Sequence, residues 1–179
     1  TLRNGMPEVI YGPGKTPEQA ASIAHSLAKR GSGVIVTRAT KEQFASVKRL
    51  LPDAVFHETP RLITSSEPSP AAGTRLGRTA VLTAGTADIA VAEEAAVILE
   101  FFGLPITRIY DVGVAGLHRL LDKIEEIRSC QVVIVVAGMD GALPSVVAGM
   151  VETPVIAVPT SVGYGAGFSG LAPLLTMLN

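Results

Sequence analysis

Two kinds of apolar pattern alternate along the chain: short continuous runs, and stripes with helical spacing. The continuous aliphatic runs predict buried strands at residues 79–84, 106–110, 132–136 and 155–158. Each run is followed by a helical pattern, roughly at 88–102, 114–128, 142–151 and 168–178. Strand starts recur every 23 to 27 residues, the length of one βα unit. Such alternation indicates a parallel sheet with right-handed crossovers.

The first 65 residues predict a smaller β-α-β-α-β unit. Its short strand candidates lie at 8–11, 33–37, 55–57 and 61–64. Thr16 and Thr40 are each followed three residues later by a glutamine, Gln19 and Gln43. A Thr N-cap with Gln at this spacing forms a capping box, so both positions predict helix starts. Pro17 supports the first of them, because proline fits the first helical position.

Ser, Pro, Ala and Gly dominate one stretch between these regions, at 65–77. Such a composition is typical of a linker. We therefore expect an N-terminal domain at 1–66, a linker at 67–77 and a C-terminal domain at 78–179. The expected fold class is α/β: a small βα domain, then a three-layer parallel-sheet domain. No strand follows the last helix, so we expect the C-terminal domain to be truncated.

Composition and charge narrow the function classes. Hydrophobic residues make up 47% of the chain but aromatic residues only 4%, so the core must be aliphatic, as suits parallel strands. The net charge of −1 and the lack of a basic face argue against nucleic-acid binding. The single cysteine allows no internal disulfide, and no signal peptide or membrane-length apolar run is seen. We expect a cytoplasmic protein with no membrane partner.

Candidate chemistry lies where the predicted strands end, since parallel sheets bind ligands at their carboxyl ends. Four small, Gly-containing loops follow the four strands there, and three of them carry a carboxylate: Asp88, Asp111 and Asp140. Free N–H groups at helix starts attract phosphate or carboxylate. We therefore predict a site for a phosphorylated, nucleotide-like small molecule. Structural roles stay open: Asp88 and Asp140 are also placed to cap helices, and Asp111 could be a turn residue.

Two motifs are set aside. The run Gly165–Gly170 matches G-x-G-x-x-G, but it lies several residues past its strand and no acidic residue follows about 20 positions later. Cys130 lies before a predicted strand, away from the carboxyl edge, and is interpreted as a buried, unreactive thiol.

Several segments resemble the LarB family of nickel-pincer nucleotide cofactor biosynthesis proteins. The most specific are AGMDGALPSVVAG (137–149) and VPTSVGYGAG (158–167), and PEVIYGPGKTPEQ (7–19) is also similar. The resemblance covers nearly the whole chain. More distantly, the second domain is similar to PurE-type aminoimidazole ribonucleotide carboxylases, through a loop that ends in Asp88 and a Gly-rich third loop. This implies a PurE-like, flavodoxin-like C-terminal fold.

The resemblance implies a specific activity. The LarB family carboxylates the pyridinium ring of nicotinic acid adenine dinucleotide with carbon dioxide or bicarbonate, then cleaves the phosphoanhydride and releases AMP. The product, pyridinium-3,5-biscarboxylic acid mononucleotide, feeds the cofactor of lactate racemase. The implied ligands are nicotinic acid adenine dinucleotide, NAD and AMP. Family analogy also implies Mg²⁺ for the cleavage and a homo-oligomer, such as an octamer.

The resemblance also distributes roles among residues. Asp140 matches a family position where Glu is usual, and it is the expected catalytic acid/base. The family cysteine, whose thiolate adds to the ring, falls beyond Asn179, and Cys130 does not match it. The expected ligand-binding residues comprise two groups. Those expected to hold ribose or phosphate, or to line the second loop, are Gly85, Thr86, Asp88, Asp111 and Gly113. Those expected to form or close the ring pocket are Gly138, Met139, Leu143, Pro144, Ser145, Thr160, Ser161, Gly163 and Tyr164.

Two alternatives remain open. One is a PurE-type aminoimidazole ribonucleotide carboxylase or mutase. Those enzymes use a histidine in the loop that corresponds to residues 140–144, and no histidine stands there. The other is a non-catalytic nucleotide-binding oligomeric module.

Overall fold

The computed structural model describes residues 8–65, 77–163, 165 and 167–179. The chain divides into two compact units, residues 1–72 and 73–179. Of the predicted linker at 67–77, only Gly77 is among the described residues. Ser65, which composition grouped with the linker-like stretch, instead ends a strand and is buried.

The N-terminal unit is a four-stranded sheet with two helices that pack against each other. In chain order its elements are β1 (Val9–Tyr11), α1 (Pro17–Ala28), β2 (Val34–Thr37), α2 (Lys41–Leu50), β3 (Val55–His57) and β4 (Leu62–Ser65). The strand order is β1-β2-β4-β3. Strands β1 and β2 are parallel, whereas β4 runs antiparallel to both β2 and β3. The predicted elements are all present.

Both predicted capping boxes form. The N–H of Gln19 donates to Thr16 Oγ1 at 3.2 Å, and the N–H of Thr16 donates back to Gln19 Oε1 at 3.0 Å. Thr40 and Gln43 repeat this arrangement at the same two distances. Gln43 is also buried, and its Nε2 donates to the carbonyl of Gly12 at 2.8 Å. This glutamine therefore joins the start of α2 to the loop after β1.

The C-terminal unit is a parallel sheet with strand order β6-β5-β7-β8. Its strands are β5 (Thr79–Thr83), β6 (Ile106–Ile109), β7 (Val132–Ala137) and β8 (Val155–Pro159). Its helices are α3 (Ile89–Phe101), α4 (Leu117–Leu121), α5 (Ile124–Arg128), α6 (Leu143–Ala148) and α7 (Leu171–Leu178). All four predicted strands are present, so the α/β fold with a parallel C-terminal sheet is confirmed.

The core of this unit lies on both faces of the two central strands. On one face, Leu82 and Val135 pack among side chains of α4, α5 and α6. On the other, Val81 and Val136 pack against alanines of α3. Successive strand residues point to opposite faces, so a strand covered on both sides must be apolar throughout. The three layers are built from aliphatic residues, in keeping with the scarcity of aromatics.

Three helical predictions need correction. The predicted helix 114–128 is interrupted: a 3₁₀ turn (Val114–Gly116) precedes α4, and Lys123, with φ −107° and ψ 1°, leaves helical geometry before α5. The predicted helix 168–178 is likewise a 3₁₀ turn (Phe168–Gly170) followed by α7, because Gly170 is left-handed with φ 98°. Helix α6 is shorter than the predicted 142–151.

Candidate functional site

A cavity of about 330 Å³ opens at the carboxyl edge of the C-terminal sheet. Loops that follow all four strands contribute to its wall. The residues that line it are Ala84, Gly85, Thr86, Ala87, Asp88, Asp111, Gly113, Val114, Ala115, Arg119, Ala137, Gly138, Met139, Asp140, Ala142, Leu143, Val162 and Gly163. The volume falls at the lower end of the range of about 300–1,000 Å³ that is typical of small-molecule sites.

Asp88 joins the first and fourth loops of this edge. Its carboxylate is buried; Oδ1 accepts the hydroxyl of Thr160 at 2.7 Å, and Oδ2 accepts the N–H of Gly85 at 3.1 Å. The side chain does not cap α3, as the sequence had allowed. A buried carboxylate is costly unless it is hydrogen-bonded, so both bonds stabilise this loop pair.

Asp111 carries the second loop. Its backbone is left-handed, with φ 59°, which is uncommon for a residue other than glycine. Its N–H donates to the buried Thr83 Oγ1 at 2.9 Å, which anchors it to β5. Its Oδ2 accepts Arg119 Nη1 at 2.6 Å. Asp111 is therefore more than a turn residue, because it presents an ion pair to the cavity.

Arg119 is the charged lining residue that was not predicted from the sequence. It lies within the helix predicted at 114–128, and no role in the site was predicted for it. The available signal was its position in the first turn of the helix after the Asp111 loop, because helix starts that follow parallel strands face the ligand edge. Both partners of the pair are partly exposed, Arg119 at 43% and Asp111 at 44%.

The third loop is tightly set against the fourth. A Cβ on Gly138 would lie 2.0 Å from the carbonyl oxygen of Val162, so only glycine allows the two backbones to approach this closely. Met139 follows with a left-handed φ of 53° and a side chain that is 42% exposed. Asp140 is exposed, and its Oδ1 accepts the N–H of Ala142 at 3.3 Å. The loop therefore presents an apolar thioether and a carboxylate side by side.

A smaller cavity of about 60 Å³ adjoins the first. Met139, Val162 and Gly163 line both. Thr160 and Ser161 line the smaller one, together with the residues of the 3₁₀ turn before α7.

The predicted site residues separate into four groups. Those in the main cavity are Gly85, Thr86, Asp88, Asp111, Gly113, Gly138, Met139, Asp140, Leu143 and Gly163. Thr160 and Ser161 belong to the smaller cavity. Pro144 is buried and Ser145 is exposed on α6; neither lines these two cavities. Tyr164 lies outside the described residues. Helix α6 turns Pro144 and Ser145 away from the cavity, which Leu143 alone of the three reaches.

Tyr110, next to Asp111 at the end of β6, forms a hydrogen bond to helix α3. Its hydroxyl donates to Glu93 Oε1 at 2.8 Å, and the same carboxylate accepts Arg108 Nε at 3.0 Å. Burial, and then the adjacent Glu93 carboxylate, raise the pKa of Tyr110 above its ordinary value. Glu93 belongs to α3, so the network attaches that helix to the end of β6.

The carboxylates of the cavity do not make a metal site. Across residues 8–65, 77–163 and the described part of 165–179, no group of three or more His, Cys, Asp or Glu side chains is placed to hold a metal ion. Both oxygens of Asp88 are already hydrogen-bonded within the protein. Among the described residues there is therefore no cluster of three such side chains that could hold Mg²⁺.

Two other features bear on the sequence interpretation. Cys130 is buried, and its thiol lies 3.6 Å from the carbonyl oxygen of Glu126. It does not line either of the two cavities described above, and its burial confirms the interpretation as a buried thiol. Within the described part of the chain, every helix is too short or too polar to cross a bilayer.

Each of the two units matches a known protein family. The LarB/PurE-like N-terminal domain matches residues 1–67, and the AIR carboxylase domain matches residues 78–179.

Curated proteins give the same pattern. An uncharacterized protein of Methanocaldococcus jannaschii is 39% identical over 193 residues, covering 99% of this chain and 71% of that protein. The N5-carboxyaminoimidazole ribonucleotide mutase of the same organism is 36% identical over 99 residues, covering 54% of this chain and 58% of the mutase. The N5-carboxyaminoimidazole ribonucleotide mutase of Thermotoga maritima is 30% identical over 106 residues, covering 56% of this chain and 60% of that mutase. The chain thus spans less than two thirds of either mutase.

Proposed function

Because this chain belongs to the LarB family, with a LarB/PurE-like N-terminal domain followed by an AIR carboxylase domain, we propose that it acts on nicotinic acid adenine dinucleotide. At the family level it is a carboxylase/mutase-type enzyme. The proposed reaction is carboxylation of the pyridinium ring by carbon dioxide or bicarbonate, followed by hydrolysis of the phosphoanhydride with release of AMP. The product is pyridinium-3,5-biscarboxylic acid mononucleotide, the precursor of the nickel-pincer cofactor.

The observation that carries the proposal is the third loop of the cavity. Met139 presents an apolar, polarisable side chain next to the carboxylate of Asp140. A thioether packs well against an aromatic ring, and a carboxylate favours a cationic one. A pyridinium ring has both properties. An imidazole ribonucleotide would instead call for the histidine that residues 140–144 lack.

The proposed carboxylation uses the family cysteine as nucleophile and Asp140 as base. Addition of the family cysteine thiolate, expected beyond Asn179, turns the electron-poor ring into an enamine whose carbon attacks carbon dioxide. Asp140 then takes the proton from the carboxylated carbon, and the carbon–sulfur bond breaks to restore the pyridinium. Asp140 is exposed in the cavity, as a base that exchanges protons with solvent must be.

The first loop supplies the proposed phosphate and ribose contacts. Gly85 and Thr86 line the cavity on its β5 side, where Asp88 holds the loop in place. The volume of about 330 Å³ suits one nucleotide half of a dinucleotide, which leaves the other half at the cavity mouth. NAD and AMP, which share parts of the substrate, should bind the same site.

We also propose that the protein forms a homo-oligomer, on family analogy an octamer. Helix α7 exposes an apolar face made of Leu171, Leu174, Leu175 and Leu178. A contiguous exposed apolar patch usually marks a protein–protein contact.

Calorimetric titration tests the substrate assignment. Nicotinic acid adenine dinucleotide and NAD should bind, and aminoimidazole ribonucleotide should not. Binding of the imidazole ribonucleotide alone would move the assignment to the PurE-type reaction, which the similarity to the two mutases favours as the second candidate.

Turnover separates an enzyme from a binding module. In a chain that carries the family cysteine, Asp140→Asn should lower carboxylation by about 100-fold or more, because the base is lost, while dinucleotide binding weakens much less. Asp140→Glu, which keeps the carboxylate, should retain activity. A full chain that binds the dinucleotide but never turns it over would support the non-catalytic module.

A further inference from the structure

The charges around the main cavity are unbalanced. Three carboxylates line it, those of Asp88, Asp111 and Asp140, whereas Arg119 is the one cationic side chain among the described lining residues. A nucleotide ligand carries phosphate, which this wall would repel without a cation. We propose that Arg119 is the anion-recognising residue of the cavity, and that Asp111 holds it until a ligand phosphate or carboxylate replaces that aspartate. The inference rests on the proposed function only in placing the ligand in this cavity.

The existing ion pair is suited to exchange. Arg119 Nη1 lies 2.6 Å from Asp111 Oδ2, but both side chains are more than two fifths exposed. Ion pairs that solvent screens in this way are weak. A phosphate offers two oxygens to the planar guanidinium and carries more charge than one carboxylate, so it can compete for the same donors.

Asp111 is the fixed partner and Arg119 the movable one. The N–H of Asp111 is held by Thr83 Oγ1 at 2.9 Å. A Cβ on the nearby Gly113 would lie 2.5 Å from the carbonyl oxygen of Ala84, which shows how closely this loop is set against the end of β5. The long Arg119 side chain, by contrast, can change rotamer without backbone movement.

Gly116 makes room for the guanidinium. A Cβ built there would lie 2.7 Å from Arg119 Nε and 2.8 Å from Nη2. The backbone of Gly116 has φ −129°, which any residue can adopt. Gly116→Ala therefore displaces the guanidinium without removing any charge. This variant tests whether the position of the Arg119 guanidinium matters for binding, and not only its charge.

The experiment measures binding of three anions, AMP, inorganic pyrophosphate and nicotinate, to the intact chain by calorimetry. Arg119→Gln should weaken AMP binding by about tenfold or more, the usual effect of losing a charge-assisted hydrogen bond. Gly116→Ala should weaken it in the same direction, and Arg119→Lys should be intermediate. A change in AMP and pyrophosphate binding identifies a phosphate contact; a change confined to nicotinate identifies a carboxylate contact.

A double-mutant cycle tests whether the ligand displaces the Asp111 carboxylate from Arg119. Asp111→Asn should tighten AMP binding several-fold, and this gain should vanish when Arg119→Gln is also present. Arg128→Gln is the matched control, because Arg128 pairs with Glu125 at 2.8 Å away from the cavity; it should leave binding unchanged.

Unchanged binding of all three anions in a folded Arg119→Gln variant overturns the proposal, as does a gain from Asp111→Asn that persists without Arg119. The proposal is also overturned if the unaltered chain binds none of the three anions. Circular dichroism confirms folding, and Gly116→Ala provides the test if Arg119→Gln unfolds. Binding of AMP through Arg119 without binding of pyridine dinucleotides would contradict the proposed function and leave this inference standing.

Discussion

Thr160 Oγ1 donates a 2.7 Å hydrogen bond to Asp88 Oδ1, and both side chains are buried. The bond connects the loop after β8 to the loop after β5, across the intervening strand β7. Thr160→Val removes the donor and leaves the carboxylate oxygen with one fewer partner. We expect the free energy of unfolding to fall by about 1–3 kcal/mol, measured by urea denaturation.

Thr160→Ser is the control for this substitution, since it keeps the hydroxyl and should retain most of the stability. Equal losses in the Val and Ser variants would mean that the methyl group, and not the hydrogen bond, stabilises this loop pair.

Gly138→Ala should be strongly unfavourable. Its new Cβ would lie 2.0 Å from the carbonyl oxygen of Val162, a backbone atom that cannot move alone. We expect a loss of about 1–3 kcal/mol in the free energy of unfolding and a weaker ligand affinity as the fourth loop is pushed away. Gly85→Ala is the matched comparison: its Cβ would meet Asp88 at an unstrained 3.8 Å. Similar destabilisation by both substitutions would contradict the steric argument.

Tyr110 predicts sensitivity to alkali. Burial and the Glu93 carboxylate raise the pKa of its hydroxyl in the folded state. The unfolded chain then loses this proton first, so the contribution to stability is present below about pH 10 and is lost as pH rises through the folded pKa. Unfolding measured by denaturant at several pH values above 9 should show a steeper loss for the unaltered chain than for Tyr110→Phe. Parallel pH profiles would rule out this role for Tyr110.

The apolar face of α7 predicts self-association. Leu171, Leu175 and Leu178 lie at helical i, i+4 and i+7 spacing and are 51%, 52% and 74% exposed. The pair of substitutions Leu175→Glu and Leu178→Glu should reduce the mass measured by light scattering. Leu50→Glu, at an exposed leucine of the N-terminal unit, should not. A monomeric mass for the unaltered chain would remove the basis for the oligomer.

The strands could be predicted because each one depends on local sequence. The run at 132–136 is apolar at every position, and only a strand covered on both faces needs that pattern. Thr16 and Thr40 likewise mark the starts of their helices, because each forms its capping hydrogen bond with a residue only three positions later. By contrast, the interruption at Lys123 and the left-handed Gly170 depend on how helices fit against the sheet, which composition does not encode.

The location of the site at the carboxyl edge of the sheet could be predicted from the sequence, but the side-chain contacts within the site could not. The order of strands and loops places Asp88, Asp111 and Asp140 at one edge, as the sequence analysis expected. It could not reveal that Asp88 would be engaged by Thr160, 72 positions away, or that Arg119 would reach back to Asp111. Those partners follow from three-dimensional packing, and the same holds for Pro144 and Ser145, which α6 directs away from the cavity.

The close approach of Gly138 to Val162 also has a consequence for how the protein is made. The cavity wall draws on residues 84 to 163, so a nascent chain cannot complete it until β8 has emerged and docked beside β7. Ligand present during synthesis can therefore stabilise only a chain whose sheet is complete. Ligand binding would thus report that β8 has docked beside β7.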